Sequence, residues 1–221
     1  MDCQVQVFFD NSWKTAAVFE PDPKTIDKGI AGGGRLQYDK VSDGRVERLG
    51  MHSLYAVANI PGYGAAIRHD TYCHALAKIV TDSGQELREY IRRDILNFAL
   101  RNTDNHGRNT AVLRKNGQIK LSPLFDFAPM FLDPVGIGRV SRWEDERPGS
   151  QPEWANICEK FKDYLDPLET RAWLAHLGED VKRLAETMKD CHIEDEIIQR
   201  LSGWIDEVAA GLVEIRPRTW T

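Results

Sequence analysis

Apolar positions change their spacing along this chain, and each change marks an element. Residues 3–9 ("CQVQVFF") and 13–19 ("WKTAAVF") carry β-forming residues around the turn signal Asp10-Asn11-Ser12, which predicts a hairpin. The Pro- and Gly-rich run from Glu20 to Gly34 reads as loop, and "RLQYDKV" (35–41) as a further strand. "HSLYAVANI" (52–60) predicts a short helix that "PGYGAAIR" ends. From Asp70 the spacing becomes helical. "DTYCHALAKIVTDS" is followed by "QELREYIRRDILNFALRN", where Leu87, Ile91, Ile95, Leu96, Phe98 and Leu100 fall near a 3.6-residue period and Ser83 stands as a cap. "TAVLRK" and "QIKLS" then flank Asn116-Gly117, the dipeptide preferred in a type I′ hairpin turn. Residues 131–153 are irregular, interrupted by Pro134, Pro148 and Pro152. The remainder predicts helices at about 153–164, 168–188 and 193–213, with Asp166 and His192 as starts and Gly211 near the last end. The whole reads as an α+β chain: a small β-rich segment over residues 1–44, then a mainly helical unit with one hairpin over 45–215.

A length of 221 residues is enough to bury a sizeable core. A formal net charge of −5 gives no reason to expect direct nucleic-acid binding. Cys3, Cys73, Cys158 and Cys191 are far apart with no C-x-x-C pair, as expected of reduced thiols rather than disulfides or a zinc site. The N-terminus lacks the basic start of a secretory signal, and no apolar run approaches the roughly 18 residues of a membrane helix. A cytoplasmic location and no membrane partner are therefore expected.

The stretch "RNTDNHGRNTAV" (101–112) crowds an Asp, three Asn, a His and two Arg behind a helix. A capped turn between helix and strand would use such residues, since Asn and Asp favour turns. The order of residues from Asp104 onward suggests more. Asp104 precedes Asn109 by five residues, a hairpin comes next, and Asp126 opens "DFA". A nucleoside triphosphate needs a hard divalent cation, and oxygen donors from an Asn and an Asp suit Mg2+. A further Asp can orient an acceptor hydroxyl or take its proton. Protein kinases use this order, with a catalytic-loop Asp, an Asn five residues on, a hairpin and an Asp-Phe. "FDF" also sets a carboxylate between aromatics, where a buried charge would need a partner such as a metal. The other histidines (His52, His69, His74, His176, His192) show no ligand spacing. Arg92, Arg93 and Asp94 read as a solvated helix face or interhelix pairs. Arg139, Arg142 and Trp143 either face a substrate or sit in an ordinary loop, and Trp154, Trp173 and Trp204 read as packing residues.

"NTDNHGRN" followed by "LSPLFDFAPM" closely resembles the HipA family of bacterial Ser/Thr protein kinases, the toxins of HipA/HipB toxin–antitoxin modules, whose members carry N-T-D-x-H-x-x-N and then L-S-P-x-[YF]-D. "RLGMHSLYAV", the "Y...LAKIV" helix and "DPVGIGRVSRW" resemble it too, so the likeness spans roughly residues 45–215. It implies Asp104 as the catalytic Asp, His106 near the phosphates, and Asn109 and Asp126 as metal ligands, with ATP and Mg2+ as cofactors. It further implies a protein substrate, related to translation, and a HipB-like DNA-binding antitoxin as partner. Family members also carry a long β-rich lobe with a Gly-rich phosphate loop and an ATP-contacting Lys. Here "GIAGGG" (29–34) is expected to lack flanking strands, and none of Lys24, Lys28 and Lys40 to lie mid-strand. Activity weakened by that loss is the expectation. The alternatives are a catalytically inactive, short HipA-like chain that binds partners such as the antitoxin, and a Mg2+-dependent phosphohydrolase.

Overall fold

The computed structural model describes residues 3–9, 12–21, 34–42, 45–61, 67–128, 130–136, 138–147 and 149–215, with side chains from residue 49 on. The leading hairpin forms from β1 (Cys3–Phe9) and β2 (Ser12–Pro21), and the third expected strand is β3 (Gly34–Ser42). A strand that the sequence pattern did not predict, β4 (Arg45–Ser53), pairs antiparallel with β3. It takes in His52 and Ser53, so the helix expected over 52–60 shrinks to α1 (Leu54–Val57), capped by the Ser53 hydroxyl. The NG hairpin is β5 (Ala111–Lys115) and β6 (Gln118–Leu121). Asn116 and Gly117 both take positive φ, 50° and 77°, as a type I′ turn requires.

The six strands form a single antiparallel sheet in sequence order. β4 joins the leading strands to the hairpin through pairs from Gly50–Arg114 to Ser53–Ala111. The sheet thus runs without a break across the expected boundary at residues 44 and 45. It also supplies flanking strands for "GIAGGG". β2 ends before it, β3 begins at its last glycine, and Pro21 pairs with Gly34. Lys40 lies within β3, opposite Glu47. Both expectations about that segment are therefore corrected, while residues 22–33, with Lys24 and Lys28, lie outside the described residues.

Two helices come next: α2 (His69–Ala77) and α3 (Ser83–Ala99). The cap of α3 is Asp82, one residue before the expected Ser83; its Oδ1 accepts from the Gln85 amide at 2.9 Å. Ser83 instead donates to the Ala77 carbonyl at 2.8 Å and ties the two helices together. α3 fastens the outer strand of the sheet, since the Leu121 amide donates to buried Glu86 at 2.8 Å. The Ile119 amide likewise donates to Thr81 Oγ1 at 2.8 Å.

The C-terminal part holds α4 (Trp154–Lys160), α5 (Pro167–Lys182), α6 (Leu184–Asp190) and α7 (Asp195–Val213). Asp166 caps α5 as expected, accepting from the Glu169 amide at 2.8 Å. The helix expected over 168–188 breaks at Arg183, which ends α5 and opens α6. α7 starts after Glu194 rather than at His192, which takes a left-handed φ of 59°. One core joins Leu54, Tyr72, Leu87, Ile91, Ile95, Trp143, Trp154, Phe161, Leu174 and Ile205. Trp173 and Trp204 pack on its margin. This is an α+β fold. Among the described residues no helix is long and apolar enough to cross a membrane.

α5 and α7 approach closely at Gly178, where a Cβ would come within 2.8 Å of Val213 Cγ2, 2.9 Å of Leu212 Cβ and 3.0 Å of the Ala209 carbonyl oxygen. A larger side chain must push the helices apart. Gly178→Val is expected to lower stability by about 1–3 kcal/mol, the usual range for overpacking. Urea unfolding measures it, and an unchanged midpoint would show that the helix pair yields freely.

Candidate active site

The turn after α3 is fixed from several sides. α3 ends at Leu100, and Arg101 takes a left-handed φ of 52° that turns the chain out of the helix. The Asn102 amide then closes on the Asn97 carbonyl at 2.8 Å. On one flank, the Leu54 amide donates to Thr110 O at 2.9 Å and the Tyr55 amide to Gly107 O at 3.3 Å. Gly107 sits against two tyrosines. Its amide donates to the Tyr72 hydroxyl at 3.3 Å, and a Cβ there would come within 2.6 Å of the Tyr72 ring and 2.9 Å of Tyr55. On the other flank, the Val140 amide donates to Thr103 O at 3.1 Å.

Beneath the turn lies a buried polar network centred on Asp94, 2% exposed. Its carboxylate accepts from Trp143 Nε1 at 2.7 Å, from Asn105 Nδ2 at 3.2 Å and from the Arg139 guanidinium at 2.5 Å. Asn105 also grips the 139–143 segment: its Oδ1 accepts from the Ser141 amide at 3.0 Å and its Nδ2 donates to the Ser141 carbonyl at 3.1 Å. His69 closes the ring, with Nδ1 2.7 Å from the Tyr90 hydroxyl and Nε2 3.1 Å from the Ser141 carbonyl. Arg139 reaches on to Glu146 at 2.9 Å. Each charge is matched, as burial demands.

This packing sets the electrostatics. Burial works against ionisation of Asp94, but the adjacent Arg139 charge, His69 and the hydrogen bonds from Arg139 and Asn105 outweigh it and hold the carboxyl down at about 2. Burial pushes the His69 imidazole down to about 4, with Asp94 opposing and Arg139 adding to the shift. His69 is therefore neutral at pH 7, and its 3.4 Å approach to Asp94 is a polar contact rather than an ion pair. Of the two expectations for residues 92–94, the solvated face holds only for Arg92, because Arg93 and Asp94 are buried, while Asp94 meets His69 of α2 across the helix pair. Arg139 and Trp143 likewise build the support. The sequence signal for this network was the acid inside an amphipathic helix, but its partners lie 45 and 49 residues away.

Above the support, three of the expected site residues come together. Asn109 Nδ2 donates to the Asp104 main-chain carbonyl at 3.0 Å and to Asp104 Oδ2 at 3.3 Å, and His106 Nε2 lies 3.3 Å from Asp104 Oδ1. These bonds orient the Asp104 carboxylate, and among the described residues Asn109 Oδ1, a hard oxygen donor, accepts no hydrogen bond. His106 Nδ1 is buried without a partner among the described residues. Asp126 is the fourth expected site residue. It lies beyond β6 with a left-handed φ of 53°, and it is exposed beside Phe127, which is 37% exposed. The expected buried charge between aromatics is thus not found. Among the described residues Asp126 makes no hydrogen bond or ion pair with the other three. No group of three or more His, Cys, Asp or Glu among the described residues is placed to hold a metal. An amide oxygen and one carboxylate fit a hard cation that takes its other ligands from phosphate and water.

A helix, a braced polar turn and a hairpin on a sheet edge define an α+β lobe with one concentrated polar site. The sequence profile of the HipA-like C-terminal domain matches residues 36–192, and the chain belongs to that family. No curated protein sequence matches it. Among solved structures it resembles the Shewanella oneidensis MR-1 HipA from a toxin–antitoxin complex of HipA, HipB and operator DNA. The TM-score is 0.54 at 11% identity, covering 97% of this chain and 62% of that one. That likeness bears on the fold, and the chain spans less than two thirds of that protein's length.

Two outcomes are expected. The unfolded chain binds a proton at His69 near pH 6.5, whereas the folded one does not until about 4, so stability falls as pH drops through that window. Asp94, lowered from 3.8 to about 2, extends the loss below pH 4 in the same direction. The His69 part is on the order of 3 kcal/mol. Unfolding midpoints between pH 7 and pH 4 should show it, and His69→Gln should flatten that slope while lowering stability at pH 7; an equal slope in both proteins would place the proton elsewhere. Gly107→Ala should cost about 1–3 kcal/mol through its clash with Tyr72. Unchanged backbone shifts at residues 104–109 in that variant would show that the turn is not held there.

Proposed function

We infer that this chain is a HipA-like phosphotransferase that moves the terminal phosphoryl group of Mg2+-ATP to a protein serine or threonine hydroxyl. The observation that carries the reading is the Asp104–Asn109 pair, bonded on a braced turn that leads into the hairpin and on to Asp126. In this reading the Asp104 carboxylate orients the acceptor hydroxyl and takes its proton, while Asn109 Oδ1 and Asp126 hold the cation and His106 lies near the phosphates. Phosphoryl transfer depends chiefly on positioning and charge stabilisation, which is what a rigid turn supplies. The glycine-rich connection between β2 and β3, and Lys40 within β3, are the features from which a phosphate-covering part would be built. The metal supplies charge neutralisation of the phosphates when bound. Because the similar structure is a complex of HipA with HipB and operator DNA, a HipB-like DNA-binding protein is the partner this reading assigns.

A partner-binding chain without activity is the competing reading, favoured by the exposed Asp126 carboxylate, which has no hydrogen bond or ion pair among the described residues. Thermal unfolding with Mg2+-ATP separates the two. ATP at a hundred times its Kd should stabilise the chain by about 2.7 kcal/mol, and withholding Mg2+ or making Asp126→Asn should remove most of that gain. Asp104→Asn should keep the thermal gain yet abolish labelling of a protein acceptor by radiolabelled ATP. No thermal response at millimolar Mg2+-ATP would sink the phosphotransferase reading.

A further inference from the structure

A cavity of about 210 Å³ opens beside the braced turn, between the end of α3, the 139–150 segment and α7. Its apolar wall is made by Phe98 and Trp204, whose ring centroids lie 5.3 Å apart with the planes tilted by 37°. The rest of the lining is basic. Arg101, Arg139 and Arg142 contribute three guanidinium groups against one carboxylate, Glu146. Arg139 is already matched by Asp94 and Glu146. The Arg101 guanidinium lies over the Trp204 and Phe131 rings, at 5.7 and 5.9 Å. Neither Arg101 nor Arg142 has an ion pair among the described residues. The cavity therefore carries an excess of positive charge.

A second feature points the same way. Among the described residues, three of the lining residues hold buried polar atoms with no hydrogen-bond partner: Arg139 Nη1, Asn102 Oδ1 and Thr103 Oγ1. Arg139 and Asn102 are themselves more than nine-tenths buried. Buried polar atoms in native proteins are almost always bonded to protein, water or ligand. These atoms are shielded from solvent and add polarity beneath the wall, and the guanidinium excess makes the occupant an anion. The volume exceeds what a single water fills, about 30 Å³.

We propose that this cavity is a binding site for an oxyanion carried on an apolar stem, with Arg142 and Arg101 gripping the anion and Phe98 and Trp204 holding the stem. Guanidinium groups suit both a carboxylate and a phosphomonoester through paired hydrogen bonds. Neither Asp104 nor Asn109 lines this cavity, so the site stands whether or not the chain transfers phosphate.

The test uses benzoate, phenyl phosphate and neutral benzyl alcohol as probes, titrated calorimetrically into the full chain in EDTA, with the Trp204 indole amide followed by NMR. The expected result is that at least one anion binds about tenfold tighter than benzyl alcohol, shifts the Trp204 signal and weakens as sodium chloride is raised. Preference for benzoate assigns an acidic side chain or acid as the ligand; preference for phenyl phosphate assigns a phosphomonoester. Arg142→Ala and Arg101→Ala, each checked for native circular dichroism, should each weaken that anion about tenfold. If one variant fails to fold, the other carries the test. Equal affinity for the neutral probe, no effect of the arginine substitutions, or no binding at tens of millimolar would leave a cavity filled by water alone and overturn the proposal.

Discussion

A carboxylate cannot be taken out of water unless its charge is met by a partner, and Asp94 is almost wholly buried. Breaking a buried pair by removing one side costs about 3–5 kcal/mol. That penalty makes Asp94 a constraint on the whole lobe. Arg139 and Trp143 from the irregular segment, and Asn105 from the turn, must all arrive at one point in α3. His69 arrives from α2 and stays neutral there, so it adds a polar contact without a second competing charge. An irregular stretch that would otherwise be free to wander is thereby locked beside the turn.

The turn gains its rigidity from this arrangement and from the sheet. Asn105 faces down into the network, while its neighbours Asp104 and His106, with Asn109, meet above it. Alternation along a tight turn thus separates the residue that anchors the turn from the three that meet above it. The Thr110 and Gly107 carbonyls are bonded to the start of α1, which continues directly from β4. The hairpin that leads towards Asp126 is pinned in turn by Glu86 and Thr81. Phosphoryl chemistry asks for fixed geometry more than for unusual reactivity. In the proposed function the braced turn would supply that for Asp104 and Asn109, while Asp126 lies at the end of an exposed segment.

What was legible in the sequence was whatever depends on neighbours in the chain. The NG hairpin, the Asp166 cap and the periodic burial of Leu87, Ile91 and Ile95 all rest on local rules, and all are found. β4 escaped notice because Arg45, Glu47, Arg48 and Gly50 hide its alternation; it is a strand because β3 and β5 pair with it on either side. The break at Arg183 carries no proline or glycine to announce it. Asp94 sits in the run Arg92-Arg93-Asp94, which reads as solvent-facing until a distant arginine and tryptophan are brought to it. The polar turn itself was legible as a candidate site, whereas its support was not. The candidate site residues of the turn are gathered in a short motif, but the side chains that brace it are scattered through the fold.

Amide hydrogen exchange in the native protein and in Asp94→Asn tests the central claim most directly. The account predicts that protection of the Val140, Ser141 and Gly107 amides falls together in the variant, since each donates within the region that Asp94 secures, while amides of α5 and α7 keep theirs. Wild-type protection at those three amides in a folded Asp94→Asn protein would contradict it. The turn would then be held by something other than the buried carboxylate.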